Sequence, residues 1–106
     1  MAKYLITGSY TQSGIQGVMK EGGTARKRVS EQFIESLGGK LEAYYFAFGD
    51  IDFVGIVDGG DNISTAAASM IIGAAGGARV KVTVLLTPEE LDAAAQKSAP
   101  YRAPGQ

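Results

Sequence analysis

Residues 37–57 read LGGKLEAYYFAFGDIDFVGIV, and the fold turns on how that stretch divides. Gly38-Gly39 ends what precedes it, because glycine tolerates the left-handed backbone of a helix C-terminus. Residues 40–48 then alternate and are rich in tyrosine and phenylalanine, as a strand requires. Gly49-Asp50 is a two-residue turn signal, and residues 51–57 form a second alternating run. A β-hairpin at the middle of the chain follows. In its first strand Leu41, Ala43, Tyr45 and Ala47 point one way, and Tyr44, Phe46 and Phe48 the other. In its second strand Phe53 and Val57 oppose Val54 and Ile56.

Working outward, residues 2–10 form a strand with Tyr4, Ile6 and Tyr10 on one face and Leu5 and Thr7 on the other. Thr11 caps a short helix over residues 11–19, which Gly14 and Gly17 weaken. A firmer helix over residues 24–37 carries Ala25, Val29, Phe33 and Leu37 in one stripe, widened by Ile34. Downstream, Asp61 caps a helix with a second apolar stripe: Ile63, Ala66, Ala67, Met70, Ile71 and Ala74. Gly76-Gly77 ends it, and residues 79–86 alternate as a fourth strand. Thr87-Pro88-Glu89-Glu90 is a capping box that starts a last helix, running to about residue 97. The order is β-α-β-β-α-β plus a C-terminal helix. That is an α+β, ferredoxin-like arrangement: a four-stranded antiparallel sheet with helices on one face. One domain spans residues 1–97, and the Pro/Ala/Gly-rich residues 98–106 are expected to be a flexible tail.

Composition narrows the chemistry. The 106 residues include 15 glycines, about twice the ordinary share, and no cysteine, histidine or tryptophan. Thiol nucleophiles, disulfides, Cys-ligated zinc, imidazole metal sites and the Ser-His-Asp triad are therefore excluded. Any proton transfer must use a carboxylate, lysine or tyrosine. A net charge of −1 gives no general pull towards nucleic acid or anionic membrane. No apolar run is long enough to span a bilayer and no leader pattern opens the chain, so a cytoplasmic location is expected.

Two helices cover one face of such a sheet, and the other should be polar if it meets water. Here both faces are apolar. A second copy, packing sheet against sheet, is the expected cover, making a homodimer. The alternative is that the C-terminal helix folds back, but Leu91, Ala94 and Ala95 offer little area.

Tyr10-Thr11-Gln12-Ser13-Gly14, then Arg26, Leu37-Gly38-Gly39-Lys40, Tyr45, Gly49, Asp52 and Asp58 follow one another in a recognisable order and spacing. Over residues 4–86 this pattern resembles the small bacterial GYD-domain proteins. The resemblance implies a dimeric α/β barrel of ferredoxin-like halves, and no particular activity. Relatives of that fold include cofactor-independent oxygenases, decarboxylases, haem-handling enzymes and ligand-sensing domains. The family's Gly-x-Tyr-Asp signature stands here as Gly49-Asp50-Ile51-Asp52, with Ile51 in the tyrosine's place.

Tyr10, Thr11, Arg26, Tyr45 and Asp52 match the family pattern and are the candidate ligand-binding residues. Arg26, Lys27 and Arg28, with Lys20 nearby, gather positive charge at a helix start, where free N–H groups hold carboxylates or phosphates. The plainer reading is a solvated face balanced by Glu21 and Glu31. Asp52 is the candidate general base, or else a residue held by an ion pair or a backbone hydrogen bond at the strand edge. Asp58 lies about 20 Å from it along one strand, so the two are no catalytic pair. Asp58 and Asp61 are too few for a metal site, and no metal or cofactor is expected. Tyr4, Tyr10, Tyr44, Tyr45, Phe46, Phe48 and Phe53 line a pocket or pack a core. The glycines form neither GxGxxG nor a P-loop. Three functions fit: a homodimer binding a small aromatic or anionic ligand, a cofactor-independent oxygenase or isomerase, or a structural subunit docking a protein partner.

Overall fold

The computed structural model describes residues 2–106. The elements run β1 (Lys3–Tyr10), α1 (Gln12–Glu21), α2 (Gly23–Ser36), β2 (Gly39–Phe46), β3 (Phe53–Gly59), α3 (Asn62–Ala75), β4 (Ala78–Leu85) and α4 (Pro88–Ala95). The strands make one antiparallel sheet in the order β2-β3-β1-β4. This is the α+β, ferredoxin-like arrangement expected from the order of elements, with the extra C-terminal helix. Helix α2 packs on β2 and α3 on β4.

The helix starts follow local chemistry. Thr11 accepts from the N–H of Gly14, and Asp61 from that of Ser64 at 2.7 Å. The capping box of α4 is complete: Thr87 N–H donates to Glu90, and Glu90 N–H donates back to Thr87. These bonds hold the Asp61 and Glu90 carboxyls below their ordinary range, chiefly through the Ser64 and Thr87 backbone N–H groups. Helices α1 and α2 meet at Gly22, whose φ of 87° breaks what would otherwise be one continuous helix.

Three details depart from simple alternation. The first is the hairpin. Its strands end at Phe46 and restart at Phe53, so residues 47–52 form a six-residue loop and not a two-residue turn. Asp52 accounts for this. Its carbonyl accepts from Ala47 N–H and its N–H donates to Gly8 O, both at 2.8 Å, which binds the loop to β1. Phe48 consequently projects into solvent, 99% exposed.

The second is an irregularity in β2 between Leu41 and Ala43. One extra residue reverses the alternation. Leu41 faces Val57, while Tyr44 faces Gly55 and Phe46 faces Phe53, all on the helix-covered side. Ala43 and Tyr45 stand on the other.

The third is α3. Its expected stripe faces mainly outward, with Ile63 82% and Met70 74% exposed. Ala68 is the residue buried against the sheet. Small side chains let the helix lie close over Tyr4, whose hydroxyl donates to Asn62 Oδ1 at 2.8 Å.

The covered face holds the core: Tyr4, Phe53, Val57 and Ala68 are the buried hydrophobic residues among those described. The open face carries an apolar patch of Leu5, Val54, Ile56, Ala43 and Tyr45, with Thr7, Thr83, Lys81 and Arg79 beside it towards β4, and is bordered by Lys3, which pairs with Glu42 and with Asp58 at 3.6 Å. Helix α4 does not cover this face, since it is exposed along its whole length. The chain exposes 7601 Å², whereas a compact monomer of 11.0 kDa exposes about 5,600 Å². Its radius of gyration, 16.9 Å, likewise exceeds the ~13 Å of a compact chain of this length.

Candidate functional site

Between the sheet and the helices lies a cavity of about 340 Å³. Its floor is the covered face at the β1–β4 end: Tyr10 from β1, Tyr44 from β2 and Phe53 from β3. Its walls come from Val18 and Glu21 on α1, Arg26, Ser30 and Phe33 on α2, and Ile72 on α3. The break at Gly22 makes this possible. A continuous helix would carry α1 and α2 in one line, whereas the bend folds α1 across the end of the sheet. There α1 comes so close to the turn leading into β4 that a Cβ on Gly14 would sit 1.8 Å from the carbonyl oxygen of Gly77. Thr11 fixes the contact: its N–H donates to Gly77 O at 3.0 Å and its hydroxyl to Gly76 O at 2.8 Å.

The floor is a small aromatic cluster. The Tyr10 and Phe53 rings lie 5.0 Å apart, and Tyr44 stacks on Phe53 at 6.0 Å with 21° between planes. The Tyr10 hydroxyl is buried and has no hydrogen-bond partner within the chain. Burial raises its pKa well above the ordinary tyrosine range, with the neighbouring Tyr44 phenol adding to the shift. The phenol is therefore a neutral donor and acceptor without a partner, at a site where such groups usually have one. Arg26 Nη1 lies 3.3 Å from Glu21 Oε1, both on the cavity wall. One carboxylate leaves several of the five guanidinium N–H donors free.

The structure brings Tyr10 and Arg26 to this one cavity. The other candidates lie elsewhere. Asp52 Oδ2 accepts the backbone N–H of Tyr10 at 2.8 Å, so its carboxylate secures the end of β1 behind the site. Thr11 caps α1 as described. Tyr45 projects from the open face, 68% exposed. Lys27 and Arg28 point to solvent, so the basic cluster contributes Arg26 alone. Ile51 belongs to the loop over residues 47–52 and does not line the cavity. Asp58 pairs with Lys3, Asp61 caps α3, and no metal-binding group of acids exists among the described residues.

Phe33, Ser30 and Glu21 are cavity residues that motif matching passes over. The helical stripe of α2 marks Phe33 as inward-facing. Glu21 reads in the sequence as a charge balancing the basic cluster, which its ion pair with Arg26 matches, but its place on the cavity wall has no periodic signal, because the Gly22 break separates the two helices.

No curated protein and no solved structure matches the chain. The GYD domain model matches residues 4–95, which include every cavity-lining side chain, and the chain therefore belongs to the GYD domain family.

Proposed function

We propose that this protein is a homodimeric binding domain for a small, largely apolar molecule carrying one anionic group. The cavity beneath α1 and α2 carries that reading. At about 340 Å³ it is more than twice the size of an apolar cavity of ~150 Å³ that takes up benzene. Aromatic rings, Tyr10 among them, form its floor, and the Arg26 guanidinium supplies the charged contact that fixes orientation. Homodimerisation is supported by the uncovered apolar face and by the surface a single copy leaves exposed. An enzymatic role for Asp52 has less support, since its carboxylate already holds the Tyr10 N–H and does not line the cavity.

The test is a thermal-shift screen of aromatic carboxylates against wild type and Arg26→Ala. At least one compound is expected to raise the wild-type melting temperature, and Arg26→Ala to lose most of that rise. If no compound stabilises wild type, the binding reading fails. If Arg26→Ala keeps the full response, the anion contact fails. Light scattering should give twice the 11.0 kDa chain mass; a stable species at the chain mass contradicts the dimer.

A further inference from the structure

The cavity does not end at its aromatic floor. Behind it lies a second void of about 60 Å³, walled by Ile6, Ile34, Leu41 and Val57. The two share Ser30, Phe33, Tyr44, Phe53 and Ile72, so only side chains separate them. A third gap of about 20 Å³ follows towards Tyr4 and Ala68, with room for about one water molecule. The space between sheet and helices thus tapers from one end of the sheet towards the other.

Its chemistry changes along the same line. The outer chamber has Arg26, Glu21, Ser13 and Tyr10. The inner one has no charged residue, and the Ser30 hydroxyl at its boundary is already bonded to Arg26 O at 2.9 Å. An apolar gap of this kind offers water few hydrogen-bond partners, and its lining lacks contact partners of its own. A slot of 60 Å³ is too small for a second ring, which needs about 150 Å³, and suits a chain of about three carbons.

We propose that the ligand is a fused-ring aromatic acid bearing a short linear alkyl group. The rings occupy the outer chamber over Phe53, the carboxylate meets Arg26, and the alkyl group fills the slot beside Leu41. This specificity rests on the reading of the cavity as a ligand site.

Calorimetry with 2-naphthoate and its 6-methyl, 6-ethyl, 6-propyl and 6-hexyl derivatives tests it. The dissociation constant is expected to fall about fourfold per added carbon, from ~0.8 kcal/mol per buried methylene, as far as propyl. It should rise again at hexyl. Leu41→Phe adds bulk to the inner slot alone, so it should abolish the alkyl gain and leave 2-naphthoate binding unchanged. Ile34→Ala, which needs no extra space, should move the optimum to a longer chain. If 2-naphthoate binds but alkyl groups bring no gain in wild type, the slot is a packing gap and the inference is wrong, while the binding reading stands. The inference is equally wrong if folded Leu41→Phe keeps the gain or Ile34→Ala leaves the optimum at propyl. If none of the series binds, the inference is wrong, and the broader screen of aromatic carboxylates decides the binding reading.

Discussion

Tyr44 and Tyr45 are neighbours in the chain and stand on opposite sides of the sheet. Tyr44 stacks against Phe53 in the floor of a hollow that helices shelter. Tyr45 lies among Val54, Ile56 and Ala43 on a face that nothing in the chain covers. One side is roofed by helices and under-filled, the other carries an unroofed apolar patch beside the polar residues of β4. Burial and packing density are thus separate properties, and this sheet meets each on a different face. A hollow between sheet and helices suits a small molecule, because it is concave and lined mostly by apolar and aromatic side chains. A flat, open apolar face suits another protein surface of like character.

Substitutions on the two sides should therefore part company. The largest loss is expected from Gly14→Ala at the end of the hollow, where the new Cβ would meet the Gly77 carbonyl. A backbone clash cannot be relieved by rotating a side chain, so chemical denaturation should show about 3 kcal/mol of lost stability. Next, Ile56→Asp puts a charge at the centre of the open face. Light scattering should register a change from dimer to monomer while the Arg26-dependent thermal response survives. Loss of that response in a folded monomer would mean that the two faces form one site.

The neighbouring tyrosines give a smaller but sharper contrast. Tyr44→Ala removes a ring from the cavity floor and should cost about 2 kcal/mol together with most ligand binding. Tyr45→Ala should cost under ~1 kcal/mol in the Ile56→Asp monomer background and leave binding intact. The smallest effect is a pH dependence. Burial raises the Tyr10 pKa in the folded state above its unfolded value near 10. The unfolded chain then releases this proton first as pH rises, so the stability it contributes is present below pH ~10 and is lost above it. Tyr10→Phe should flatten the alkaline fall in melting temperature and cost little at neutral pH, because it removes an unpaired buried hydroxyl.

The sequence is legible where one residue type settles one local question. Thr11, Asp61 and the Thr87–Glu90 box mark helix starts, and Gly76, at φ 80°, marks the end of α3. It is less legible where a face depends on a single inserted residue. The β2 irregularity after Leu41 reverses which side every later residue takes, and nothing in KLEAYYF reports it. Helix α3 is ambiguous for another reason. Alanine and glycine recur on all its sides, so the stripe of larger residues carries little contrast, and close approach over Tyr4 selects the small residues instead. Of the candidate residues, Tyr10 and Arg26 come together because the Gly22 bend brings α1 and α2 over the end of β1. Asp52 ends up behind the site because its carboxylate is closer to backbone than to the hollow.

The separation of the two faces can be observed directly by tyrosine ring resonances during titration with 2-naphthoate. Five tyrosines are few enough to assign by substitution to phenylalanine. Tyr10 and Tyr44 are expected to shift in step with saturation while Tyr45 stays where it was. A shift confined to Tyr45, with Tyr10 and Tyr44 unmoved, would contradict that separation.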